Sequence, residues 1–289
     1  MEINRIRPDE HTFTQRLAGI ADAPKSLCYM GVLPAERTPV VAIVGTRKPT
    51  SYGREVTQRL AYDLAKQGVI IVSGLALGVD GIAHRAALEA GGRTVGVVID
   101  ELPQISPRSH IRLAHTMIKQ GGAILSEWGR GDGAPMAKWA FLRRNRLVSG
   151  LADAVIITEA AARSGTLNTA AHALNQGREV LVVPGNITSP LSEGCNALLK
   201  QGASPITYAN DVLDIIAPQL RQQSAQQTLP IGTTPAETDI IRLLAAGVRS
   251  GDELQKRAKL AAADFATALT MLEINGMIQS LGANQWRLK

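Results

Sequence analysis

VVAIVGTRKPTSYGREVTQRLAYDLAKQGVIIVSG, from Val40 to Gly74, reads as strand, turn, helix and strand. Its two ends, Val40–Val44 and Val69–Val72, are apolar at every position and mostly β-branched, the pattern of strands covered by helices on both faces. Between them GREVTQRLAYDLAKQG has helical period and closes on Gly68, where a C-cap favours glycine. The pattern recurs down the chain. TVGVVI (Thr94–Ile99), AIL (Ala123–Leu125), AVIIT (Ala154–Thr158) and VLVV (Val180–Val183) read as further strands, separated by helical stretches such as GIAHRAALEAGG. Strands alternating with helices imply right-handed crossovers and an α/β, doubly wound, mostly parallel sheet.

From Pro218 the texture changes. QLRQQSAQQTLPIGTTP is polar, Gln-rich and broken by prolines, as a linker is. PAETDIIRLLAAG, SGDELQKRAK and AADFATALTMLEING then read as three helices, and MIQSLGANQWRLK as a hairpin turning near Gly282 to Asn284. Three helices and a hairpin make a small C-terminal winged helix. The expected divisions are an N-terminal arm over 1–39, the sheet domain over 40–217, a linker over 218–234 and the winged helix over 235–289. With 45% apolar and 19% charged residues in 289, the chain has ample core material. Its net charge of +6 suits a polyanionic partner. Cys28 and Cys195 lack metal-site or disulfide spacing and fit reduced thiols in a cytoplasmic protein. MEINRIRPDE leads into no apolar run, so no signal peptide is expected, and no stretch has the length of a membrane span.

In an open parallel sheet, ligands bind beyond the carboxyl ends of the strands. Three such exits share small residues ahead of a helix: Gly45–Pro49, Ser73–Gly81, and Glu159 through Arg163, Ser164, Gly165 and Thr166. Helix N-termini there favour an anion, so the trio reads either as a phosphate pocket, with Arg47 and Arg163 adding charge, or as plain turn geometry. No GxxxxGK[ST] or compact GxGxxG is present, so neither ATP chemistry nor a dinucleotide cofactor is expected. Asp80 and His84 read as a helix cap and a hydrogen-bonded histidine, and Ser73 lacks a hydrolase elbow. No catalytic residue, cofactor or metal site is expected. KWAFLRRNRLVSG (Lys138–Gly150) sets Lys138, Arg143, Arg144 and Arg146 beside Trp139 and Phe141. It reads either as a single-stranded nucleic-acid site, with cations for phosphates and rings for bases, or as a solvated charged turn.

The blocks VAIVGTRKPTSYG, VSGLALGVDGIAHRAALEAGGRTVGV, KWAFLRRNRLVSGLADAVIITEAAARSGTLNTAAHAL and GREVLVVPGNITSPLSEGCNALLKQGA closely resemble the DNA-processing protein A (DprA or Smf) family, from about Leu27 to Ile216. The resemblance implies an extended Rossmann-like domain followed by a winged helix, and a homodimer. It also implies a single-stranded DNA-binding protein that protects incoming DNA and helps load RecA recombinase in natural transformation, with no enzymatic activity or cofactor. Position by position it places DNA contacts at Arg47 in the G-[ST]-R turn and at Lys138 and Phe141 in K-x-x-F. Arg143, Asn145 and Arg146 follow in the basic motif, and Ser164, Gly165 and Thr166 at the S-G-[ST] helix start. Arg47 and the helix N-termini would hold phosphates, Phe141 would face a base, and Asn145 would order the loop or bond a base edge. Arg144 is expected to point to solvent. The apolar side of NDVLDIIA (Asn210–Ala217) is expected to help form the dimer.

The chain departs from the family pattern in places. Leu77 stands where an arginine is usual, DELPQISPRSH (Asp100–His110) replaces a YPxxN element, and Leu142 replaces a proline. The N-terminal helical domain of many members is expected to be absent here or reduced to about forty residues. Two rival functions share the architecture. Nucleoside monophosphate phosphoribohydrolases carry PGGxGTxxE, and aligning their GTxxE on Gly165 and Thr166 puts Thr169 at the catalytic glutamate. A nucleotide sensor with the winged helix as its output is the other. The expected recognition helix, Ala261 to Asn275, contains no Lys or Arg, which favours protein contact over duplex reading, although Lys256, Arg257 and Lys259 precede it.

Overall fold

A computed structural model describes residues 2–35, 38–134, 138–220, 232, 234–282 and 284–288, with the backbone alone for Lys138 and Leu281. It divides into two compact units, Met1–Arg221 and Gln222–Lys289. The first is built on a nine-stranded sheet of order β1-β2-β6-β5-β4-β3-β7-β8-β9. The strands are β1 (Asn4–Ile6), β2 (Leu27–Gly31), β3 (Val40–Val44), β4 (Ile70–Ser73), β5 (Thr94–Val97), β6 (Ala123–Ser126), β7 (Ala154–Ile157), β8 (Glu179–Val182) and β9 (Ser204–Pro205). From β6 to β9 every pairing is parallel, and β1 and β2 add antiparallel pairs at one edge.

The central strand shows why its sequence is apolar throughout. Val40, Ala42 and Val44 face one core, with α4 (Lys138–Leu151), α5 (Gly165–Asn175) and α6 (Glu193–Lys200). Val41 and Ile43 face another, with α1 (Ser51–Lys66), α2 (Val79–Glu89) and α7 (Ala209–Ile216). A period of two on a sheet covered twice leaves no solvent face for polar residues. A third core joins α3 (Ile111–Lys119) to β2 and β6 through Met30, Met117 and Ile124.

Two expectations change here. The stretch 1–39 is not an arm ahead of the domain. It supplies β1 and β2, and its Phe13, Leu17, Ile20 and Leu27 are buried in the same core as Val40. The fit is close: a Cβ added to Gly150 of α4 would lie 2.7 Å from Leu17 Cδ2. In α7, Val212 and Leu213 are fully buried in the core that holds Val41 and Ile43, so these two close this chain's own core, while Ile215 stays exposed.

The second unit packs α8 (Pro235–Ala245), α9 (Gly251–Ala258) and α10 (Ala262–Ile274) with the hairpin β10 (Ile278–Gly282) and β11 (Gln285–Leu288). Ile240, Leu244, Leu254, Phe265, Leu269 and Leu272 form its core. Thr234 caps α8, its Oγ1 accepting from Glu237 N at 3.2 Å, with Pro235 at the first helical position. The outer side of α10 leaves Met271 and Ile274 exposed and carries no cation.

The basic run forms α4 rather than a turn, and its arginines fasten that helix. Arg146 is buried, its Nη1 and Nη2 donating to Glu127 at 2.9 and 2.6 Å and its Nε to Asp22 O at 2.8 Å. Arg143 Nε donates to Asp22 Oδ2 at 3.0 Å, and this bond, with the neighbouring guanidinium charges, holds the Asp22 carboxyl below the usual carboxylate range. Arg144 points inward, not to solvent. Its Nη1 donates to Gly74 O at 2.7 Å and to Val97 O, tying α4 to the ends of β4 and β5. Arg144→Ala is therefore expected to cost about 3–5 kcal/mol of stability, as removal of a buried charged partner does. The urea midpoint should fall while the slope stays constant, and a loss below about 1 kcal/mol would contradict the fastening role.

Candidate nucleic-acid interface

Strand order turns around β3. The chain passes from β3 to β4 on one side and returns to β7 on the other, which opens a crevice at the carboxyl ends of β3 and β7. A pocket of about 360 Å³ lies there. Its walls come from Gly45 to Arg47 after β3, Gly74 and Ala76 after β4, Arg163 to Thr166 after β7, and Phe141, Leu142 and Asn145 on α4. Gly78 lets the loops close up. It holds φ +79°, and a Cβ there would strike the backbone of Thr46 and Arg47.

Of the three helix starts expected to hold anions, two carry carboxylates of the chain itself. Glu159, buried after β7, accepts from Thr50 N at 2.8 Å and Thr50 Oγ1 at 2.6 Å at the start of α1. Asp80, buried in the first turn of α2, accepts from Gly74 N at 3.0 Å and Ala76 N at 3.3 Å. Burial pushes the Asp80 carboxyl above its ordinary range, opposed by the Arg144 charge and these N–H donors. The start of α5 is different. Ser164 caps it, its Oγ accepting from Thr166 N at 3.2 Å, and Gly165 is exposed with no atom nearer its Cβ position than Leu142 at 4.0 Å. The exposed Gly165 backbone and the helix dipole face the pocket there.

The cations around that helix start are Arg47 and Arg163, both exposed on the pocket wall. The Arg47 guanidinium lies 5.5 Å from the centre of the Phe141 ring, within cation–π range. Asn145 Nδ2 donates to Asn168 Oδ1 at 3.2 Å and to Gly165 O at 3.4 Å. Those bonds hold α4 against the start of α5. Arg143 and Arg146 do not line the pocket, because Asp22 and Glu127 draw them to the far side of α4. The Lys138 side chain lies outside the described residues.

Sequence reasoning missed Leu142 and Asp80 as wall residues, and it misplaced Arg144. Only the loop positions that hydrogen bonds assign reveal those roles. Asp80 and His84 act separately, since His84 Nδ1 sits 2.7 Å from Thr94 Oγ1, which itself donates to Ile71 O. Burial lowers His84 to about 3 and leaves it a neutral structural ring. Thr169, on the wall, brings no carboxylate to the place where the hydrolases carry theirs. Among the described residues no three His, Cys, Asp or Glu side chains cluster to hold a metal ion.

Comparison with known proteins fits this geometry. The profile of the family described as DNA recombination-mediator protein A matches residues 4–217, and that of the DprA winged helix domain matches residues 223–284. Protein Smf of Escherichia coli is 36% identical over 98% of this chain and 77% of its own length. DNA processing protein DprA of Bacillus subtilis is 38% identical over 79% and 75%. Among solved structures, DprA of Streptococcus pneumoniae superposes with a TM-score of 0.68 at 35% identity, covering 75% of each chain. DNA processing protein A of Helicobacter pylori, solved to describe its single-stranded DNA binding mode, gives 0.64 at 33% identity over 74% of this chain and 95% of its own. The chain belongs to the DNA recombination-mediator protein A (DprA) family.

Proposed function

We propose that this chain is a recombination mediator that binds single-stranded DNA in the crevice between β3 and β7, protects incoming strands and helps load RecA recombinase during natural transformation. One observation carries the binding role: the open start of α5, Arg47, Arg163 and the Phe141 ring meet in one pocket. Arg47 and the Ser164, Gly165 and Thr166 segment hold phosphates, and Phe141 meets a base. Lys138, the first residue of α4, is a further phosphate contact in this reading. Asn145, Arg143 and Arg146 serve by holding α4 in place. The activity is binding without catalysis.

No helix among the described residues is long and apolar enough to cross a membrane. Cys28 and Cys195 are free and buried, and burial pushes the Cys195 thiol up to about 11, which suits a reducing cytoplasm. The cation-free outer side of α10 suits a protein contact better than duplex reading.

Gel-shift titrations of the full chain should show single strands bound in preference to duplex, with log affinity falling against log salt by about 0.7 per neutralised phosphate. Binding indifferent to salt, or stronger on duplex, contradicts the proposal. Arg47→Ala should weaken all sequences alike, because a phosphate contact carries no base information. Phe141→Ala should lower affinity by about 1–3 kcal/mol while the melting temperature holds. A core phenylalanine would instead cost about 3–5 kcal/mol of stability. Because Arg47 rests on that ring, the two losses should combine to less than their sum. A homodimer would bring two pockets to one strand and raise avidity with strand length. Sedimentation of the full chain at micromolar concentration should give a dimer, and a monomer there would defeat that part.

A further inference from the structure

Beside Phe141 an apolar recess of about 150 Å³ is walled in part by Arg47, Leu77, Asp100 and Pro107. From Pro107 the chain passes into a short helical turn, Arg108–His110, and then into α3. Buried His110 holds that entry against the loop after β4, its Nδ1 donating to Leu75 O at 2.9 Å. The helix therefore starts at the crevice and runs back toward the amino end of β6. Its inner side buries Leu113, Ala114 and Met117 in the core shared with β2 and β6. Its outer side leaves Arg108, Arg112, His115, Thr116 and Lys119 exposed, at the three- and four-residue spacing of one helix face.

That face differs in charge from those of α1 and α2. No Asp or Glu occurs between Glu101 and Glu127. By contrast, α1 sets Glu55 and Asp63 beside Arg54 and Arg59, and α2 sets Glu89 four residues after Arg85. Arg108, Arg112 and Lys119 make no ion pair with any described residue. Like charges four residues apart repel, and a polyanion laid across them removes that cost. We infer that this row carries the phosphate backbone of a single strand as it leaves the crevice, resting on the reading of the crevice as a single-strand site. Charge selects a phosphodiester backbone as the occupant. Continuity selects the strand already bound, because Arg108 follows directly on Pro107, whose recess Arg47 also lines. From Arg108 to Lys119 the row is about 17 Å long. Phosphates of a stacked strand lie about 3.4 Å apart, so several fit along it.

The test titrates oligothymidylates of about 6 and about 20 nucleotides, short and long against common single-strand site sizes, over a range of salt. The full chain is compared with the double variant Arg108→Ala, Arg112→Ala. A control, Lys66→Ala with Lys200→Ala, removes the same charge from the exposed ends of α1 and α6. All four side chains are exposed, so folding should hold, and the melting temperature checks it. On the long strand the α3 variant should lose about fivefold in affinity, the scale of two exposed charge contacts. Its salt slope should fall by about 1.4, at about 0.7 per lost phosphate contact. The short strand should bind as before, and the control should match the wild type on both. Long-strand affinity left intact by the α3 variant overturns the path. Equal losses on both lengths, or an equal loss in the control, also overturn it, since either shows a general charge effect. A wild-type chain that binds neither strand strikes the single-strand reading itself, whereas each of the other failures leaves that reading standing.

Discussion

The guanidinium of Arg144 joins three parts of the sheet domain, α4 and the ends of β4 and β5. Parallel strands end with carbonyls that have lost their ladder partners, and those of Gly74 and Val97 would otherwise be buried unpaired. Arg144 Nη1 donates to both, while Asp80 takes the Gly74 and Ala76 N–H groups on the other side of the turn. The cation and the carboxylate are both buried, and each offsets part of the other's desolvation. Gly74 has no alternative residue in this arrangement, since a Cβ would occupy the place of the guanidinium. The loop after β4 is held there, and α4 is set at the height that puts Phe141 over the pocket.

Everything chemical in the crevice follows from that placement. With α4 pinned, Phe141 stands on the ridge, Arg47 packs on its ring and Asn145 holds the start of α5. The charge left for a ligand is small and concentrated. Arg143 and Arg146 are paired with Asp22 and Glu127, Glu159 caps α1, and the exposed wall retains Arg47, Arg163 and the Gly165 start of α5. Among the described residues a ligand therefore meets the exposed Arg47 and Arg163 and the start of α5, beside an apolar slot that contains a carboxylate. That division suits a polymer with alternating anionic and aromatic parts better than a free anion.

The winged helix follows a different logic. Its core runs from Ile240 to Ile278, and its first helix is capped by Thr234. On α10 the outward positions are small, apolar or acidic, among them Met271, Ile274, Asp264 and Glu273. Neutral and acidic side chains neutralise no phosphate and release no counterions, so that helix has no electrostatic purchase on a duplex.

The sequence alone determined the doubly wound sheet, because strands buried on both faces must be apolar at every position and VVAIV, AVII and VLV are. It also determined the winged helix, whose helical periods and hairpin turn are local signals. The start of α5 was legible for the same reason: Ser-Gly-Thr is a cap and a first turn within three residues. Partnership was not legible. RRNR looks like four polar groups aimed at one ligand, yet Arg146 is engaged by Glu127, Arg143 by Asp22, 121 residues away, and Arg144 by carbonyls of Gly74 and Val97. The stretch 1–39 looked peripheral because its strands pair antiparallel at an edge and carry no helical repeat beside them. Charge and apolarity are properties of residues and can be read along the chain. Whether a charge is free to bind depends on what folding brings beside it, and only the tertiary structure decides that.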